Sequence, residues 1–232
     1  MVGTGDVLGH AIGQVISFGV AVSVSPLAII AVILMLSTPA GRANSLSFLA
    51  GWVLGLATLG TLVLLVADGA DAAEGSEPAD WVGVVQIVLA ALLLLVAVRQ
   101  WRQRPSRAEE AELAGWMQGI ADFTPMRSAT TAILIAAVKP KNLLLTVGAA
   151  TAIAETGASS GQQATALAVF VVVGTLGPAI PVAVYFVMRD RAAGILDGMR
   201  TWMVRENTTI IIVLCLIVAA KLLGDAIPTL SS

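Results

Sequence analysis

The run Val138-Lys139-Pro140-Lys141-Asn142 places two ammonium groups and a helix breaker inside an apolar segment that extends roughly from Thr130 to Ala152. A cation at the centre of a bilayer-spanning helix costs about 2.5 to 3.5 kcal/mol on insertion scales, so two lysines here need compensation. Pro140 lacks a backbone donor and biases Lys139 away from the α region. This predicts a break at Lys139 and a half-helix starting at Pro140. Lys141 and Asn142 then fall in the first turn of that half-helix, where free N–H groups and the positive dipole end favour an anion. Two plainer accounts compete: lysines snorkel from helix ends, and prolines often only kink a span. Lys139 and Lys141 are, however, the tenth and twelfth residues counted from Thr130, well away from the ends. No acid stands at a similar depth in the sequence, so the counter-charge is expected from a bound substrate.

Working outward, the composition fixes the class. Of 232 residues, 57% are hydrophobic and 12% charged, and mean hydropathy is +0.91, which is the balance of an integral membrane protein. The one cysteine, Cys215, excludes a disulfide within the chain and any Cys-based metal site, and the one histidine, His10, excludes a His-rich cluster. No basic stripe with interleaved aromatics points to nucleic acid. There is no G-x-S-x-G elbow, P-loop or H-E-x-x-H motif, so neither an enzyme nor a cofactor is expected.

Six apolar segments are long enough to cross a bilayer, at approximately 10–36, 45–67, 82–98, 129–153, 163–187 and 207–224. The first lacks a basic n-region and is read as a retained helix. The connections 37–44, 99–128 and 188–206 carry ten arginines, whereas 68–81 and 155–162 carry no Lys or Arg. The positive-inside rule then puts both termini outside a plasma membrane. The other three basic residues, Lys139, Lys141 and Lys221, lie within spans; Lys221, four residues before Asp225, is expected to form an end-of-helix ion pair or to snorkel. Asp68, Asp71, Glu74, Glu77 and Asp80 read as a solvated outer loop rather than a calcium site. Leu113, Trp116, Met117 and Ile120 are spaced for an amphipathic helix on the cytosolic surface. Trp52, Trp81 and Trp101 are expected in the aromatic belts.

Three spans on either side of a cytosolic connection suggest two inverted repeats, 10–98 and 129–224, joined by 99–128 in a single membrane domain. Val24-Ser25-Pro26-Leu27 in the first span answers Val138-Lys139-Pro140-Lys141 in the fourth. At ~1.5 Å per residue both breaks lie roughly 14 to 15 Å from the cytosolic ends, hence at the same level. Ser25 is placed to cap the half-helix beginning at Pro26. Gly51 and Gly55, spaced G-x-x-x-G, and the echo of 57–61 in 174–178 read as close helix packing. Pro178 and Pro181 are candidates for a kink.

Ser25-Pro26-Leu27-Ala28-Ile29-Ile30, Phe48-Leu49-Ala50-Gly51-Trp52-Val53-Leu54-Gly55, Asp122-Phe123-Thr124-Pro125-Met126-Arg127 and Lys139-Pro140-Lys141-Asn142-Leu143-Leu144-Leu145 together resemble the actinobacterial GAP-like family. These are peptidoglycolipid- and sulfolipid-addressing proteins, similar to distant members of the lysine-exporter superfamily. The resemblance covers most of the chain in order, and departs from the family pattern at Lys139, where many relatives carry Asn. It implies movement of complex glycolipids or sulfolipids to the cell surface. Three readings stay open. The first is a translocator of an anionic lipid or glycolipid bound at Lys139, Lys141, Asn142 and Pro140, facing Ser25 and Pro26, with Asp122 or Asp68 as the proton carrier if a proton drives it. The second is an exporter of a small anionic or zwitterionic solute. The third is a scaffold docking lipid-synthesis or export proteins through 99–128. A homo-oligomer is compatible with all three.

Overall fold

The computed structural model describes residues 4–74, 80–102 and 119–231. They form eight α-helices: α1 (Thr4–Ser23), α2 (Pro26–Leu36), α3 (Gly41–Glu74), α4 (Asp80–Arg102), α5 (Pro125–Ala137), α6 (Pro140–Ala154), α7 (Ser160–Met188) and α8 (Ala192–Ser231), with 3-10 turns at Ile120–Asp122 and Arg189–Arg191. Among the described residues there is no strand. The chain is a multi-pass membrane protein: four apolar helical stretches can cross a bilayer, or five if α5 and α6 count as one bent span.

Local chemistry explains most boundaries. Pro26 and Pro140 each stand at the start of a helix, where the missing N–H costs nothing, and each ends the helix before it. The axes of α5 and α6 differ by 64° across the second break. Thr124 caps α5 by accepting from Arg127 N, and Ser159 with Gln162 forms a capping box on α7. Gly157, at φ 63°, makes the left-handed turn between α6 and α7. Arg189, at φ 42°, breaks α7 from α8 without a glycine.

Lipid offers little hydrophobic gain for helix association, so contact rests on small residues that let backbones approach. A Cβ on Gly51 would lie 2.3 Å from Ala129 O, and one on Gly55 would lie 3.0 Å from Ala136 Cβ, so the G-x-x-x-G face of α3 rests on α5. A Cβ on Gly177 would lie 1.7 Å from Ser23 O, which seats α7 directly on the end of α1. Meanwhile α4 packs along α8, and α6 is enclosed by α1, α3 and α4. Leu65, Val66, Val172 and Leu176 are exposed, as lipid-facing side chains are.

Several expectations change. The connection expected at 37–44 shrinks to 37–40, because α3 begins at Gly41. Most of the connection expected at 188–206 is the first part of α8, a 40-residue helix whose arginines extend it beyond its apolar core. Trp52 is no belt residue: it is fully buried and stacks on Phe48. Its Nε1 donates to Gly174 O at 3.2 Å. That carbonyl lies four residues before Pro178, whose missing N–H would otherwise have bonded it, so the indole replaces the helix's own donor. Trp101 is exposed as expected, while the side chain of Trp81 lies outside the described residues. α7 runs continuously through Pro178 and Pro181. The proposed amphipathic helix falls almost wholly outside the described residues; its last member, Ile120, is buried in a 3-10 turn.

Candidate functional site

The two proline breaks are joined by the side chain of Lys141. Its Nζ donates to Ala21 O at 2.8 Å and to Val24 O at 3.0 Å, both at the C-terminal end of α1. A helix C-terminus presents unpaired carbonyls and about half a negative charge, which suits an ammonium group. Lys141 is only 5% exposed, so these carbonyls replace its water. Asn142, the next residue, is fully buried and repeats the move on its own span: Nδ2 donates to Ile135 O at 3.0 Å, near the end of α5. Residues in the first turn of α6 therefore cap the helices that precede the two breaks. The helix ends before Pro26 and Pro140 leave these carbonyls without helical donors, and Lys141 and Asn142 take them up.

Lys139 differs. It stands in extended geometry at the start of α6, with φ −62° and ψ 127°, and is half-buried. Among the described residues its ammonium has no hydrogen-bond or ion-pair partner, while Lys141 lies two residues away. Asn142 Oδ1 and Thr146 Oγ1, one turn apart on α6, are both buried without a partner. Buried polar atoms are nearly always bonded, so this face of α6 has unused bonding capacity. Thr146 was not singled out in the sequence; a hydroxyl in an apolar run one turn after Asn142 was the available signal.

The other expected residues are placed as follows. Ser25 is buried at the start of α2, beside buried Pro26, yet its side chain makes no capping bond, contrary to expectation; the backbone does the work, with Ile29 N donating to Ser25 O. Pro140 is exposed. Asp122 is exposed in a 3-10 turn just before α5, away from the breaks along the chain. The side chain of Asp68 lies outside the described residues, as do those of the rest of the acidic 68–80 segment.

The arginine-bearing end of the bundle holds a cavity of about 330 Å³ between the ends of α2 and α7 and the start of α8. Ser37, Tyr185, Arg189, Asp197 and Arg200 supply polar groups to its lining, and Ile33, Leu34, Leu36 and Leu196 supply apolar ones. Arg42 stands 5.9 Å from the ring centres of both Tyr185 and Phe186.

At the other end, Lys221 and Asp225 pair at 2.5 Å, the ion pair expected from their spacing. Lys221 also donates to Gln14 of α1 and sits 5.2 Å from the Phe18 ring centre. Nearby, Gln86 Nε2 of α4 donates to Glu155 Oε1 at 2.6 Å. Burial, and then the Asp225 carboxylate, push the Glu155 carboxyl up to about 7, against the smaller opposing pulls of Lys221 and Gln86. Neither Gln86 nor Glu155 was singled out in the sequence, although a glutamine inside an apolar run is a signal of its own.

With this geometry in view, residues 15–228 match the family model described as Sap, sulfolipid-1-addressing protein, a range that includes both breaks and all the groups that meet at them. No curated protein and no solved structure matches the chain.

Proposed function

The chain belongs to the sulfolipid-1-addressing protein family, and from that membership we propose that it translocates an anionic lipid toward the cell surface, with Lys139 meeting the headgroup. One observation carries the reading: Lys139 is a half-buried ammonium at a helix break inside an apolar span, and it alone of the lysine pair has no partner among the described residues. A sulfate, phosphate or carboxylate would supply the missing charge, and the free N–H groups at the start of α6 would add to its binding. The lipid's tails stay in the bilayer, so the protein need shield only the head. The cavity lined by Arg189 and Arg200 together with Asp197 and apolar side chains suits the same amphiphile entering from the arginine-bearing leaflet.

The proposal includes six crossings arranged as two inverted repeats. The apolar stretch Ser160–Ile227 would be roughly 100 Å long as one helix, far more than a bilayer's ~30 Å, and it is broken at Arg189, so α7 and α8 are taken as separate crossings. Proline-broken helices α1–α2 and α5–α6 then begin the two repeats, as in transporters whose sites lie where broken helices meet. The arginines support a cytosolic position for the cavity and an outside position for both termini.

The test is transbilayer movement of a fluorescent anionic lipid in proteoliposomes. Lys139→Ala should reduce it at least about tenfold while the protein still inserts and melts normally. Movement unchanged in that variant removes Lys139 from the mechanism. No movement of anionic lipid by the unaltered protein removes the proposed function.

A further inference from the structure

Polar groups from three helices gather around one carboxyl at the end of α6. Gln86 of α4 is fully buried; its Nε2 donates to Glu155 Oε1 at 2.6 Å, while its own Oε1 is buried without a partner. From α8 come Lys221 and Asp225, paired at 2.5 Å and both acting on Glu155 electrostatically. Gln14 of α1 accepts from Lys221, and His10, one turn earlier on α1, is exposed. Thus α1, α4 and α8, otherwise apolar where they pack, each contribute a polar group around the end of α6. Glu155 itself is only partly covered, so it stays within reach of water.

We infer that Glu155, held by Gln86 and flanked by the Lys221–Asp225 pair, is a proton-binding site through which a proton gradient acts on the translocation proposed above, on which this coupling rests. Uptake is simple in its balance. One proton from water forms an O–H bond on the carboxylate, no bond other than that to the donor water breaks, and the cluster gains one positive charge. The Gln86 amide can serve both forms. It donates through Nε2 to the carboxylate, and a half-turn of the amide presents Oε1 to accept from the carboxylic acid. Protonation therefore changes which atom of α4 faces α6, and α4 packs along α8, which carries the ion pair. Burial holds the carboxyl at about 7, where modest changes in pH change its occupancy.

The experiment has two readouts on the full chain. Infrared difference spectra of the protein in nanodiscs, titrated with acid and base, should show a carboxylic acid band with a midpoint near 7 that is lost in Glu155→Gln. No such band, or one that persists in the variant, overturns the inference. Should Glu155→Gln fail to fold, Gln86→Leu replaces it; it removes the amide that favours the carboxylate, and the midpoint should rise, an unchanged midpoint overturning the assignment. In proteoliposomes, a proton gradient should change the rate of anionic-lipid movement by the unaltered protein, and Glu155→Gln should abolish that response. A response identical in the two also overturns the coupling. If the band behaves as expected but neither protein moves lipid, the translocator reading fails and the proton site stands.

Discussion

The ammonium of Lys141 lies 2.8 Å from the carbonyl oxygen of Ala21, a residue 120 positions away in sequence, and so ties the half-helix after one proline break to the helix end before the other. The charge that looks most out of place in the sequence is thus a structural rivet. Its neighbour Lys139 is half-buried with no partner among the described residues, and it is the group proposed above to meet a headgroup. The two lysines that flank Pro140 differ in environment because residues i and i+2 point to different sides of a helix start.

Replacing Lys141 with methionine keeps the length of the side chain but leaves Ala21 O and Val24 O buried without their donor. Each orphaned group costs about 1 to 3 kcal/mol. Part of this is offset because a charged group no longer has to be buried. Lys141→Met should therefore lower the melting temperature in detergent by several degrees or more, whereas Lys139→Ala should leave it nearly unchanged. Equal losses in the two variants would show that the division of roles is wrong.

Gly177→Ala should be the most damaging glycine substitution, because its Cβ would meet the backbone oxygen Ser23 O at 1.7 Å and neither helix has a flexible end to move aside. The expected loss exceeds about 3 kcal/mol, beyond the usual range of overpacking, and should appear as failed expression or aggregation on extraction. Gly194→Ala serves as control: it lies in the first turn of α8 with nothing within 4 Å of the added carbon. There the gain in helix propensity, roughly 0.5 to 1 kcal/mol, should raise the melting temperature slightly.

Trp52→Phe preserves the stacking position against Phe48 but deletes the donor to Gly174 O. Since Pro178 has already removed the helical donor for that carbonyl, no substitute is at hand, and about 1 to 3 kcal/mol should be lost. Thermal unfolding of the purified variant checks this. A gain of stability would mean that the indole bond is dispensable.

The breaks were legible in the sequence because proline acts locally: it fixes its own φ and restricts its predecessor whatever surrounds it. The same holds for Lys221 and Asp225, whose four-residue spacing on a helix brings them together without reference to the rest of the fold. The destination of Lys141 was not legible, since it depends on how α6 docks on α1, a relation between residues more than a hundred positions apart. Trp52 misled because the span was drawn from apolar composition. α3 in fact begins with the polar turn at Gly41, which puts the indole roughly 16 Å along the helix rather than at its mouth. Glu155 sits in a polar turn that reads as solvated; only the approach of Gln86 and α8 turns it into a covered group.

That covering gives the protein a pH signature with a definite sign. Glu155 has its folded-state value raised to about 7, so the native state holds this proton more tightly than the unfolded chain does. Stability from this group is therefore fully present below the ordinary glutamate value of ~4.3 and is lost as pH rises through about 7, flattening above that. Because the side chain is partly open to water, the effect should amount to no more than about 1 to 2 kcal/mol across the window. Melting temperature measured at a series of pH values should fall between mildly acidic and neutral conditions, and Glu155→Gln, neutral throughout, should fall less. Gln86→Leu should tilt the curve further, since it removes the amide that favours the carboxylate. If the unaltered protein and Glu155→Gln give parallel curves, the carboxyl is not buried as the packing of α4 and α8 requires.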